Sequence, residues 1–123
     1  MNNKPKYTFF KNASYAFDGL IHALKTETSF KIELGIAIIF FPVLYFMPFL
    51  LIYKLLLIIT YFIILIAELL NSAVENVVDL VTKEIHPLAK AAKDIGATAV
   101  LFAVVLHIIC CLLIGLDYFA SLG

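Results

Sequence analysis

Glu68, Asn71, Glu75 and Asp79 stand in the stretch ELLNSAVENVVD, directly after the apolar run YFIILIA. Hydrocarbon penalises each charged group by roughly 2.5–3.5 kcal/mol or more, so acids in such surroundings call for a function. At about 100° per helical residue the four positions fall within an arc of roughly 80° and share one face. Glu75 and Asp79 are also four residues apart, a like-charge spacing that costs a helix roughly 0.2–0.5 kcal/mol. A cation, a partner subunit or a bound proton must offset it. Carboxylate oxygens are hard ligands that suit magnesium, which keeps several waters and completes its shell with substrate phosphates. The plainer alternative is that these acids pair with lysines of a neighbouring helix and only specify assembly. Three carboxylates on one stripe exceed what one helix contact requires, so a metal-dependent site at the inner membrane interface is the stronger expectation.

Two further clusters could converge on that face. The segment ETSFKIE supplies Glu27 and Glu33, whose spacing puts them on different sides of a helix. Glu27 could equally pair with Lys31 four residues on. The segment KEIHPLAKAAKD carries Lys83, Glu84, His86, Lys90, Lys93 and Asp94. Such a run is ordinarily a solvated loop, but lysines beside a magnesium-binding face bind phosphates as point charges. Together the three clusters point to a nucleotide polyphosphate. The chain has no G-x-x-x-x-G-K-[ST] loop, no H-R-D or D-F-G set and no G-x-G-x-x-G fingerprint, so phosphoryl transfer would need another architecture.

The elements that position these residues follow from composition. Hydrophobic residues are 63% of the 123, charged residues 15%, and mean hydropathy is +1.03. That balance excludes an ordinary soluble domain and describes an integral membrane protein. A 13.7 kDa chain holds about three spans of roughly 20 residues each. The expected fold is all-α in one domain, residues 1–123: a surface helix over 7–28, then transmembrane helices over 30–47, 54–81 and 95–118. The first segment sets Phe10, Tyr15, Phe17, Ile21 and Leu24 among polar residues, an amphipathic pattern suited to the interface. Pro42 is expected to kink the first span, and Pro48 to end it. TKEIHPLAKAA is expected as the second connection, with Pro87 disfavouring helix at His86. All nine cations are lysines. They concentrate before the first span and between the second and third, which predicts a cytoplasmic N-terminus and second connection, with a retained N-terminus. Three helices enclose little interior, so self-association is expected to complete the site.

The motif AELLNSAVENVVDLV, followed by HPLAKAAKDIGATAV and preceded by ETSFKIE, resembles the small bacterial integral-membrane diacylglycerol kinases. The resemblance covers nearly the whole chain and rests on E-x-x-N-S-A-x-E-x-x-x-D and A-K-D-x-[GA] in order. It implies homotrimers with active sites shared between subunits, and ATP- and magnesium-dependent phosphorylation of a lipid hydroxyl in the bacterial plasma membrane. By the same resemblance Glu68 is the catalytic base with Asn71 beside it, and Glu27 and Glu75 hold Mg2+ with the ATP phosphates. Tyr15, Glu84, Ile85, His86, Lys93 and Asp94 join Glu27 and Glu75 as nucleotide contacts, and Glu33 lies with Glu68 at the lipid end. The chain departs from the family in having no arginine; Lys11 and Ala91 stand near the usual places. HPLAKAAKD is similar to the branch that phosphorylates undecaprenol, ETSFKIE to the diacylglycerol branch, and diacylglycerol is the favoured substrate. No nucleic-acid partner is expected. A non-enzymatic assembly or ion-handling subunit would carry acids at mid-bilayer with polar residues on both sides, whereas here they run from Glu68 toward the lysine-rich end.

The remaining polar residues read as structure. Cys110 and Cys111 lie in a span, where free cysteine behaves as a small hydrophobe. His107 is expected as a packed or interhelical hydrogen-bonding residue. Gly96, Ala99 and Ala103 form a small-residue stripe suited to close helix packing.

Overall fold

The computed structural model describes residues 8–123. Lys4, Lys6 and Tyr7, the last being the first residue of the expected surface helix, lie outside that range. Four helices follow in order: α1 (Phe9–Thr26), α2 (Thr28–Phe46), α3 (Leu51–Val81) and α4 (Pro87–Leu122). Among the described residues there is no strand.

A single extended residue, Glu27, separates α1 from α2 (φ −108°, ψ 98°). Its N–H is still held by the Ala23 carbonyl at 2.8 Å, so the turn itself costs α1 no backbone bond. Pro42 sits inside α2, where it removes one backbone donor. The helix ends before Pro48, whose ring disfavours helical geometry at Met47.

α3 begins at Leu51 and α4 at Pro87, three and eight residues before the expected starts at 54 and 95. At α4 the reason is local. Proline at the first helical position has no N–H to leave unsatisfied and brings a pre-set φ. His86 takes the cap, its Nδ1 accepting from Leu88 N at 3.1 Å. Pro87 therefore breaks the chain before itself and starts a helix after itself, and LAKAAKD is helix rather than loop.

α2, α3 and α4 are each long and apolar enough to cross a membrane. At 1.5 Å per residue α3 is about 46 Å long and α4 about 54 Å, both beyond the roughly 30 Å of hydrocarbon. α3 packs chiefly on α4, less on α2, and α1 leans on α2. One buried cluster joins Ala23, Phe30, Ala37, Tyr61 and Leu65, and another joins Leu44, Leu57 and Ile114. Only 11% of the most apolar stretch of α4 is buried within the chain, so most of its apolar surface is left for lipid or further copies.

At the end far from the acid stripe, Lys54 Nζ donates to the Tyr45 carbonyl at 2.6 Å, a cation on the last carbonyls of α2, where the helix dipole favours it. Tyr53 donates to Asp117, and Phe49 meets Tyr118 edge-on at 4.8 Å. These contacts tie the α2–α3 turn to the end of α4.

Candidate functional site

The polar residues at the acid-bearing end fall into separate groups along α3. Deepest are Glu33 of α2 and Glu68 of α3, whose carboxyl groups face one another within interaction range. Glu33 Oε2 is buried without a hydrogen-bond partner. From below, the Tyr61 hydroxyl donates to the Glu33 backbone carbonyl at 2.5 Å. Two like charges brought together in an apolar setting need a positive or hydrogen-bonding third party, since an unpaired buried acceptor costs about 1–3 kcal/mol.

One turn along α3, Asn71 Nδ2 donates to Glu75 Oε1 at 3.1 Å. Asn71 Oδ1 is buried and unpaired, pressed against Gly96 of α4, where an added Cβ would overlap it. Gly96 thus belongs to the site through its lack of a side chain, a role that the small-residue stripe with Ala99 and Ala103 did not reveal. The oxygens turned toward this region come from carboxylates and an amide, a donor set that suits magnesium rather than a softer metal. Among the described residues no three His, Cys, Asp or Glu side chains gather in a metal-holding group. Magnesium needs only one or two carboxylates when phosphates and waters supply the rest, so Glu75 fits with a second acid.

At the connection, Asp79, Lys83, Glu84, Ile85, His86, Lys90, Lys93 and Asp94 line one cavity of ≈ 430 Å³. Lys93 Nζ meets Asp79 Oδ1 at 2.6 Å across the two helices, and Lys90 meets Asp94 at 2.5 Å along α4. The cavity therefore gathers five of the expected nucleotide contacts: Glu84, Ile85, His86, Lys93 and Asp94. Asp79, the fourth member of the opening stripe, serves here as the partner of Lys93.

Glu27 stands elsewhere. It lines a cavity of ≈ 340 Å³ between α1 and α3 with Gly19, Ser72 and Asn76, at the level of the Asn71–Glu75 contact but on the adjoining face of α3. Tyr15 is 56% exposed on α1 and lines none of these cavities. Within one chain, then, Glu33 meets Glu68, Asn71 meets Glu75, and the connection residues meet each other, while Glu27 meets the adjoining face of α3 and Tyr15 joins none of these groups. Sequence reasoning also missed Tyr61. Its signal was present in the interval of seven residues before Glu68, about two helical turns on the same face.

His107 does not enter this region. Its Nδ1 lies 2.7 Å from Thr60 Oγ1, and its Nε2 is 3.6 Å from Cys111 Sγ. Thr60 is buried and also donates to the Leu56 carbonyl at 2.9 Å, so His107 is an interhelical hydrogen-bonding residue, as its isolation in the span suggested.

Three membrane-length helices carrying half-buried acids at one end, beside a lysine-lined cavity, define a membrane protein whose polar end suits a charged ligand. A family model for prokaryotic diacylglycerol kinase matches residues 14–115. The chain is 37% identical over 110 residues to a diacylglycerol kinase of Escherichia coli, covering 88% of this chain and 89% of the relative. It is 39% identical over 92 residues to a diacylglycerol kinase of Haemophilus influenzae, covering 75% and 78%. Over 43 residues it is 63% identical to an undecaprenol kinase of Bacillus subtilis, covering 34% and 35%. The chain belongs to the prokaryotic diacylglycerol kinase family, and by that membership it is a lipid kinase.

Proposed function

We propose that this protein transfers the γ-phosphoryl group of ATP to the hydroxyl of diacylglycerol, forming phosphatidic acid, with Mg2+ as cofactor. The observation that carries the proposal is the placement of two facing carboxyls, Glu33 and Glu68, the first with a buried oxygen that has no partner, about 16 Å along α3 from Asp79 in the lysine-lined cavity. An oily hydroxyl reaching the acids from the side and a polyanion reaching the lysines from the aqueous end would meet along one stripe.

In this mechanism Glu68 accepts the proton of the lipid hydroxyl as its oxygen bonds to the γ-phosphorus, and the bond to the β-phosphate oxygen breaks to release ADP. Phosphoryl transfer asks chiefly for positioning and charge stabilisation, so few groups need to react. Asn71 holds Glu75 by its amide. Glu75 and Glu27 would hold Mg2+, which when bound neutralises charge on the β- and γ-phosphates. Lys93 competes for phosphate against Asp79, and Glu84, Ile85, His86 and Asp94 shape the nucleotide cavity. Tyr15 closes over the nucleotide, and Glu33 orients the lipid hydroxyl toward Glu68.

The active unit is a homotrimer of single-domain chains in the bacterial plasma membrane. Its N-terminus and second connection are cytoplasmic, α1 lies on the surface, and each site is shared between subunits. The exposure of Tyr15 on α1 and the uncovered apolar face of α4 support that sharing. Undecaprenol is the second reading, favoured by the short stretch similar to the Bacillus subtilis enzyme.

The test supplies purified protein in lipid with magnesium and labelled ATP, offers both alcohols together, and uses Glu68→Gln as control. Label in phosphatidic acid, lost with Glu68→Gln, is the expected result. Label in undecaprenyl phosphate alone would replace the substrate while keeping the chemistry. Label in neither lipid, from demonstrably folded protein, would overturn the proposal.

A further inference from the structure

Tyr61 has no part in the mechanism above, yet it touches the site at its deepest point. The side chain is 8% exposed. It lies seven residues before Glu68, about 10 Å deeper on the same face of α3. Its ring is held edge-on by Phe41 (5.7 Å, 83°) and by His107 (5.6 Å, 80°), and it leans on Phe40 at 5.7 Å. Three neighbours from two helices pack its ring, and the hydroxyl donates to the backbone carbonyl of Glu33 at 2.5 Å. Among the described residues, two side-chain-to-backbone hydrogen bonds join α2 to α3. Lys54 to the Tyr45 carbonyl ties the far end, and Tyr61 to Glu33 ties the end that carries the acids.

The acceptor belongs to the residue whose carboxyl faces Glu68 and whose Oε2 has no partner of its own. A sliding or rolling motion of α2 against α3 would carry that carboxyl away from Glu68; interdigitated apolar side chains oppose it, and a polar tie adds a constraint of direction. A hydrogen bond is directional and weakens steeply off axis. We propose that Tyr61 is a positioning residue for phosphoryl transfer: by gripping the Glu33 carbonyl it sets the register of α2 on α3, so that Glu33 and Glu68 converge on one lipid hydroxyl. This inference rests on the lipid kinase reading of Glu33 and Glu68.

Tyr61→Phe is the decisive variant, because it keeps the ring and its packing and deletes only the donor. The expected result is a fall in kcat of about fivefold, the worth of one neutral hydrogen bond, with KM for ATP unchanged and KM for the lipid raised. In a Glu33→Gln background, which already lacks the carboxylate, the same change should cost less than twofold, because residues acting as a unit are non-additive. Carbonyl 13C labelling of Glu33 gives a readout independent of turnover: its resonance should move upfield in Tyr61→Phe as the bond is lost. An active parent enzyme whose kcat and lipid KM are untouched by Tyr61→Phe would overturn the positioning role and leave the kinase reading standing. An equal loss in both backgrounds would also overturn it, showing a general effect on folding. A parent enzyme that phosphorylates no lipid would overturn the kinase reading first, and this role with it.

Discussion

Glu68 and Glu75 are both carboxylates on one stripe of α3, but their surroundings give them different work. Glu68 faces another carboxyl in the contact with α2, whereas Glu75 receives the amide of Asn71. Glu68→Gln keeps the shape and removes the base. We expect kcat to fall by about two to four orders of magnitude, the usual worth of a general base, while the assembled protein elutes unchanged on size exclusion. Glu75→Gln should instead raise the magnesium concentration giving half-maximal rate by about tenfold, within the range seen when ligand shells are altered. Gly96 offers a subtler test. A side chain at this position must displace Asn71 Oδ1, while one at Gly115 in the same helix meets nothing within 4 Å. Gly96→Val should therefore reproduce the altered magnesium requirement of Glu75→Gln, and Gly115→Val should leave the magnesium titration where it was.

At the scale of elements, the start of α4 decides whether the lysines form a site. Because the helix begins at Pro87, Lys90 and Lys93 project from successive turns, and Lys93 reaches Asp79 on α3 at 2.6 Å. A disordered connection would have spread the same charges through solvent. His86 accepts the Leu88 N–H at 3.1 Å, one of the donors that a helix start leaves open. His86→Ala should fray the first turn, seen as faster hydrogen exchange at Leu88, and should weaken nucleotide binding more than lipid binding. Unchanged exchange at Leu88 would remove the capping role.

The chain leaves its longest apolar helix largely uncovered, and Tyr15 stands exposed on α1. Both features are explained if neighbouring chains complete each site. Native mass spectrometry from detergent or nanodiscs should give three chains of 13.7 kDa each. Mixing inactive Glu68→Gln chains with chains inactivated at Glu27 should then restore part of the activity, because subunits that share sites complement one another. A monomer with full turnover would exclude the shared site.

The sequence by itself determined the class of this molecule and the end of it that gathers acids and lysines. Hydropathy and proline placement determined three membrane-length helices, because a spanning segment must satisfy its own backbone and can do so only as helix here. Periodicity placed Asn71 and Glu75 side by side, because residues four apart on a helix are neighbours by geometry alone. Tertiary structure decided what no local spacing encodes. Glu33 and Glu68 are 35 positions apart and Glu33 and Tyr61 are 28 apart, so their meeting depends on how α2 lies along α3. Gly96 looked like one more small residue until Asn71 was found occupying its missing side chain. The start of α4 stood between these cases: Pro87 was visible as a breaker, but whether it closes one helix or opens the next depended on His86 supplying the cap. Pairing across helices is set by packing, and packing is a property of surfaces that distant segments make together.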